Sequence, residues 1–331
     1  MLPKDSYYSI KAVSNSSLKY IDPTDGGSPN KFKAFLEGNL KEDKASHFIN
    51  GTLIHLAMLE PDRFVIADIM KPPAALGEIA EAMVLQNLDL DPDDLNILNS
   101  IRAYKWQDNY GDATVIKKFK DAKGPEYVEY MSNLRNTGKV GMDKSTGTTV
   151  MAAKASVEAN PTLMYVLEDV VKDSPEIEAF NELEVQWTSK YKGTELKMKA
   201  KLDRLVIDHV AKTYWIIDVK TTGKTVGGFQ QSFEEYKYPR QINFYKKAAD
   251  RWLTQQGYDG YTCEKALIAV VETTGYHTSQ LFDVTPYVEK HSPELKSLID
   301  RVAFHYNSNN WIEPMESQMN DGVITLKPNE L

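Results

Sequence analysis

The sequence predicts an α/β fold, a central mixed β-sheet flanked by helices and carrying a helical insertion, and three observations lead to it. Leu196–Ile207 alternates polar and apolar residues and Tyr214–Lys220 is mostly apolar and β-rich, so the two read as strands joined by a short reversal. Tyr238–Gln255 reads as a strong helix with Pro239 near its first turn, where proline is tolerated. Residues 71–147 are mostly polar and helical in pieces, which sets them apart from the sheet-forming remainder.

With 331 residues and 42% hydrophobic content the chain can bury a sizeable core as one large domain. We read residues 1–331 as that single domain: a flap over 1–45, a helix over 46–60, the insertion over 71–147 and the core over 148–331. No run of eighteen apolar residues and no charged-then-apolar leader is present, so neither a membrane span nor secretion is expected. The single cysteine, Cys263, excludes an internal disulfide and a cysteine-based zinc site, fits a reducing cytoplasm, and is expected in core packing.

In the flap, Ser14–Ser17 offer N-caps to a short helix through Tyr20, and a second short helix is expected over Pro29–Leu36. Ser46–Leu59 is the first substantial helix, stopped by Pro61; Gly51 and His55 share a face, so a close approach at Gly51 lets His55 reach the sheet. The insertion is expected to hold helices over Gly77–Leu88, Pro92–Ala103, Asp112–Phe119 and Pro125–Arg135. Its acidic run Asp89, Asp91, Asp93 lacks the glycine and glutamate of a calcium loop. Thr148–Leu167 follows as a helix broken or kinked at Pro161, then a strand over Leu183–Thr188. Glu182 and Glu184 read there as solvated edge charges.

Beyond the hairpin, Lys224–Gln231 reads as a loop. Gly223-Lys224-Thr225 hints at a phosphate loop, but Asp218 stands where that motif needs glycine. Ala266–Glu272 and Ser279–Val284 are expected to pair, and Ser292–Asn307 to close the fold as a helix. His277, His291 and His305 show no ligand spacing and read as surface residues.

If the reversal is centred on Val210 and Ala211, Asp203 and Asp218 lie opposite each other and Lys220 joins Asp218 on the same face. Converging carboxylates repel unless a cation intervenes, and Mg²⁺ prefers such oxygens. They can equally salt-bridge to Lys199, Lys201 and Arg204, and spacing alone leaves both readings open. The net charge of −8 opposes a polyanionic partner. Basic residues nevertheless cluster in sequence around the hairpin and the following helix, Lys199, Lys201, Lys224 and Arg240 among them, so a basic cleft in an acidic exterior reconciles the two.

The spacing D-x(14)-D-V-K from Asp203 to Lys220, the phrases IIDVKTT and YPRQINFY, and Gln241-x-x-x-Tyr245 on the next helix resemble the PD-(D/E)xK nuclease superfamily. Within it the chain is most similar to phage and prophage exonucleases like exodeoxyribonuclease VIII (RecE-like), and more distantly to lambda exonuclease and RecB-type nuclease domains. AVSNSSLKYI, GTLIHLAMLEPDRF and NSNNW extend the likeness to both ends, while residues 71–144 match nothing. The second acidic position is Asp rather than Glu.

The resemblance implies a restriction-endonuclease-like core and a Mg²⁺-dependent exodeoxyribonuclease, with Mn²⁺ able to substitute. It implies action 5′ to 3′ on linear double-stranded DNA ends, exposing single strands for recombination in a host cytoplasm. His55, Asp203, Asp218 and the Val219 carbonyl would hold the metal, and Lys220 would act on water and phosphate. Gln241, Tyr245, Lys199, Lys201, Lys224 and Arg240 would border the site or contact DNA. A ring of three or four subunits and a single-strand annealing protein are the implied partners. A structure-selective endonuclease, a single-strand exonuclease of the same superfamily, and an inactive DNA-binding protein on this fold are the alternatives.

Overall fold

The structure, a computed structural model, describes residues 6–40, 47–66, 72–86, 93–137, 139–142, 144–172, 174–289 and 293–325. Asp89, Asp91 and His291 lie outside the described residues. The chain gathers into two compact units, one centred on Leu56–Ala152 and the other formed by Asp5–His55 with Ala153–Leu331.

In the first unit, helices Ala74–Leu85, Asp94–Ala103, Asp112–Asp121 and Gly124–Thr137 stand close to where the apolar spacing put them. They close on a core that includes Ile79, Met83, Ile97, Ile101, Val115 and Phe119. Asp93 caps its helix by accepting from the Asn96 N–H at 2.8 Å. A short parallel pair, β1 (Phe64–Ile66) and β2 (Val140–Met142), was not expected; three-residue strands carry too little pattern to be read.

In the second unit the five strands β3 (Ile177–Tyr191), β4 (Thr194–Asp208), β5 (Thr213–Thr222), β6 (Thr262–Glu272) and β7 (Ser279–Asp283) form one mixed sheet in chain order. All neighbours are antiparallel except β5 and β6. A parallel pair needs a crossover, and the helix Tyr238–Gln255 supplies it. Calling His47–Leu59 α1, that crossover helix is α2 and the closing helix Pro293–Ser308 is α3.

The β3–β4 turn is two residues long, with Lys192 at φ 46° and Gly193 at φ 88°. Such a left-handed pair matches the twist of the strands, and glycine adopts its share without steric cost. The β4–β5 turn is held by Asp208, whose side chain accepts from the N–H groups of Val210 and Ala211. Its register, Arg204 opposite Ile217 and Asp208 opposite Thr213, is the one a reversal centred on Val210 and Ala211 requires.

The main core lies between sheet and helices, where Tyr214 and Ile216 of β5 meet Phe244 and Ala248 of α2 and Ile299 and Val302 of α3. Phe244 is fully buried, and such burial is worth roughly 1.5–3 kcal/mol per large apolar side chain. Ser14 caps the helix Asn15–Leu18 with a reciprocal box to Ser17, and Ser28 caps Pro29–Glu37.

The break expected at Pro161 is present: Lys144–Glu158 and Pro161–Leu167 are separate helices, because Asn160 caps the second and proline opens it. Three expectations need correction. The strand expected over Leu183–Thr188 extends over 15 residues as β3, since it pairs along the whole of β4. The loop expected over Lys224–Gln231 becomes a 3₁₀ turn over Val226–Gly228 and α-helical from Phe229, where Phe229 and Phe233 turn inward. His305 is not a surface residue: it is 1% exposed, stacks on Trp311 and bonds the Asn310 carbonyl at 2.7 Å.

Candidate metal centre

Asp203 and Asp218 occupy the point where β4 and β5 part. Their ladder ends at Arg204 opposite Ile217, one residue short of the carboxylate pair. Freed from that ladder, the Val219 N–H donates to Asp203 Oδ2 at 2.7 Å. Asp218 is completely buried, Asp203 nearly so, and Lys220 Nζ lies 2.6 Å from Asp218 Oδ2. The Lys220 ammonium also sits 5.2 Å from the centroid of the Tyr238 ring.

A third carboxylate joins them. Glu182 lies opposite Asp203 in the β3–β4 register, between the pairs Asn181–Arg204 and Leu183–Leu202, and takes φ 54° in mid-strand. A left-handed residue with a side chain costs roughly 1–2 kcal/mol, the kind of strain that the surrounding sheet must hold in place.

His55 connects this row from α1, its Nε2 2.8 Å from Asp203 Oδ2 and its Nδ1 3.1 Å from Glu182 Oε1. What lets it reach is Gly51, where a Cβ would stand 2.8 Å from Thr221 Oγ1 of β5, so the helix backbone comes up against the strand. Lys201 Nζ holds the other Glu182 oxygen, Oε2, at 2.9 Å. On α2, the Gln241 side-chain N–H donates to Asp218 Oδ1 at 3.3 Å and to the Tyr245 hydroxyl at 2.8 Å.

The electrostatics follow from this crowding. Burial alone would lower the pKa of His55, but Asp203 and Glu182 outweigh it and push it up to about 10. Burial would raise Asp203, yet the His55 and Lys220 charges and the Val219 N–H hold it well below the usual carboxylate range. Asp218 goes the other way: burial, reinforced by Asp203 and only partly offset by Lys220, pushes it up to about 7. Burial disfavours the Lys220 ammonium, but Asp218 and Asp203 together raise its pKa.

The residues present fit a divalent metal. Donor atoms of His55, Glu182 and Asp203 lie within 4.8 Å of one another. Glu182 Oε1 and Asp218 Oδ2 are each met by one cation, His55 Nδ1 at 3.1 Å and Lys220 Nζ at 2.6 Å. A carboxylate oxygen has lone pairs beyond a single such contact, and an oxygen-seeking ion can use them.

Not every expected border residue faces this centre. Lys201, Gln241 and Tyr245 do. Lys224 is exposed in the loop after β5, beside Glu235 at 3.4 Å. Lys199 and Arg240 are corrections: both are 4% exposed and spent on the protein itself. Lys199 Nζ donates to the Tyr7 carbonyl at 2.8 Å. Arg240 lies between Asp22 at 3.0 Å and Glu294 at 3.3 Å. Charge counting along a sequence gives no direction, so inward-turned cations pass for surface ones.

Sequence reasoning missed Glu182, although a signal existed. Glu182 stands as far from the Lys192-Gly193 turn as Asp203 does, by the same mirror count that pairs Asp203 with Asp218.

The profile of the PD-(D/E)XK nuclease superfamily matches residues 28–318. Among solved structures, a candidate exonuclease from Eubacterium rectale is 14% identical, with a TM-score of 0.47, over 98% of this chain and 94% of its own. The protein SSO0001 is 12% identical, with a TM-score of 0.28, over 81% of this chain and 87% of its own. No curated protein matches the chain. Among the described residues no helix is long and apolar enough to cross a membrane.

Proposed function

The chain belongs to the PD-(D/E)XK nuclease superfamily, hydrolytic nucleases that use divalent metal ions, and from that premise we propose a Mg²⁺-dependent exodeoxyribonuclease. Its substrate would be the ends of linear double-stranded DNA, degraded 5′ to 3′ to leave single strands for recombination, as in the RecE-like exonucleases. The observation that carries the catalytic part is the row of half-buried Glu182 and buried Asp203 and Asp218, crossed by His55 and flanked by Lys220.

In this reading His55, Asp203 and Asp218 would hold the metal with the Val219 carbonyl, and Glu182 would add an oxygen. Mn²⁺ would substitute readily because an imidazole is among the donors. When bound, the ion polarises the phosphoryl oxygen and makes water a better nucleophile. The protein's part is positional and electrostatic. Lys220, held between Asp218 and the Tyr238 ring, would position or deprotonate the attacking water and offset charge gathering on the phosphoryl oxygens. Gln241 fixes Asp218 and Tyr245 together, which keeps the carboxylate aimed into the site.

The test is digestion of end-labelled linear duplex beside closed circular DNA, with and without Mg²⁺, with the label at the 5′ end in one set and the 3′ end in the other. Release of 5′ label from linear DNA alone, only with metal, is expected. Cleavage of the circle would favour an endonuclease, and binding without cleavage an inactive relative.

A further inference from the structure

The N-terminal segment does something the active-site row does not require. Beyond the point where β5 departs, the open edge of β4 is taken by Val13, whose N–H donates to the Lys197 carbonyl while its own carbonyl accepts from the Lys199 N–H. Just before it, the turn Ser6–Ser9 is clamped from below by Lys199. That buried ammonium donates to the Tyr7 carbonyl at 2.8 Å and lies 4.4 Å from the centroid of the Tyr7 ring. Tyr7 is itself 7% exposed. Tyr8 stands edge-on against Tyr7, centroids 5.4 Å apart, and is 71% exposed.

A buried lysine fixing a backbone carbonyl and a supporting ring, with a largely exposed second ring edge-on against that one, makes an aromatic platform. Lys199 is four residues from Asp203 on the same strand, a rise of roughly 13 Å, or about four nucleotides at the ~3.4 Å spacing of a DNA strand. Lys197 is exposed two residues further along β4. An aromatic face on a segment paired beside an exposed lysine can take a nucleobase by stacking and a phosphate by charge, and an unpaired base offers its faces most readily because no duplex neighbours cover them.

We propose that Tyr8 is a stacking subsite for an unpaired nucleobase near the end being processed, held in place by Tyr7 and Lys199. The inference rests on the nuclease reading above. It assigns the N-terminal segment to substrate capture and not to chemistry, so Tyr8 is expected to govern KM and leave kcat alone.

The experiment compares wild type, Tyr8→Ala and Tyr8→Trp on duplexes with a short overhang of normal or abasic nucleotides. KM and kcat are measured in Mg²⁺, and anisotropy of the same labelled DNAs in EDTA at low salt. Stacking of one base is typically lost at roughly a 5- to 150-fold cost in affinity. Wild type and Tyr8→Trp should prefer the normal overhang by a factor in that range, and Tyr8→Ala should bind both as wild type binds the abasic one. Undiminished preference in Tyr8→Ala overturns the inference, as does a wild type that cleaves DNA but ignores the bases. A wild type that neither binds nor cleaves DNA removes the nuclease reading and the subsite together.

Discussion

Arg240→Met separates what the sequence suggests for this residue from what the fold makes of it. Read as charge alone, Arg240 is a DNA-binding cation near Gln241. In the structure its guanidinium is 5% exposed, with Asp22, only 3% exposed, at 3.0 Å. The Asn15 side-chain oxygen accepts from Nε at 3.2 Å. The other two carboxylates, Asp25 at 31% and Glu294 at 40% exposure, are screened by water and contribute at most about 1 kcal/mol each. The desolvated arm to Asp22 decides the outcome, because removing one partner strands a buried charge at a cost of about 3–5 kcal/mol.

The expected loss for Arg240→Met is therefore about 3–5 kcal/mol, read as a lower urea midpoint with the slope unchanged. Adding Asp22→Asn should recover a good part of it. The stranded charge is gone, and the remaining side-chain oxygen can still accept from the Thr24 N–H and hydroxyl that Asp22 now serves. DNA binding supplies the opposing readout: removing a cation that neutralises a phosphate would lower the salt slope by about one, whereas removing a structural anchor leaves the slope in place. A folded Arg240→Met within about 0.5 kcal/mol of wild type, or one with a reduced salt slope, refutes the anchor.

Asp203→Ala and Asp218→Ala are each expected to lower hydrolysis by orders of magnitude while circular dichroism stays native, and normal activity in either would remove the site assignment. Lys220→Ala should keep its affinity for Mn²⁺ in calorimetry and lose single-turnover rate; equal losses of both would contradict a role on water and phosphate. In the metal-free protein His55 and Asp218 both titrate above their ordinary values of 6.5 and 3.8, so they stabilise the fold fully below those values and lose that contribution as pH rises through about 10 and about 7. A metal competes with the same protons, so Mn²⁺ affinity should climb steeply through pH 7, and His55→Ala should narrow the preference for Mn²⁺ over Mg²⁺; flat pH and metal profiles would count against both ligands. An acidic chain acting on DNA is expected to form a closed ring of three or four subunits with its basic surface inward, and light scattering showing only monomer would dismiss it.

Where the sequence was legible, a short-range rule was available. Mirror counting about Val210 and Ala211 found the Asp203–Asp218 pair, and Gly51 with His55 four residues on announced a helix pressed against the sheet. The rule failed at Glu182 only because the Lys192-Gly193 turn was not used as a second mirror. Lys199, Arg240 and His305 failed for another reason. Whether a polar side chain points outward depends on partners remote in sequence, Tyr7, Asp22 and Trp311 respectively, and no local pattern encodes them.

One further signal was present in the alternation of β4. Leu196, Met198, Ala200 and Leu202 belong to the main core, and so do Leu205 and Ile207, so the inward positions shift by one residue across Asp203. A one-residue slip exchanges the two faces of a strand, and a regular ladder cannot absorb it. Here the slip coincides with the left-handed Glu182 opposite and with the end of the β4–β5 pairing. The same break frees the Val219 N–H for Asp203 and opens the edge that Val13 occupies at Met198. The carboxylates thus sit at a discontinuity in the sheet, where backbone groups that an intact ladder would occupy serve Asp203 and Val13 instead.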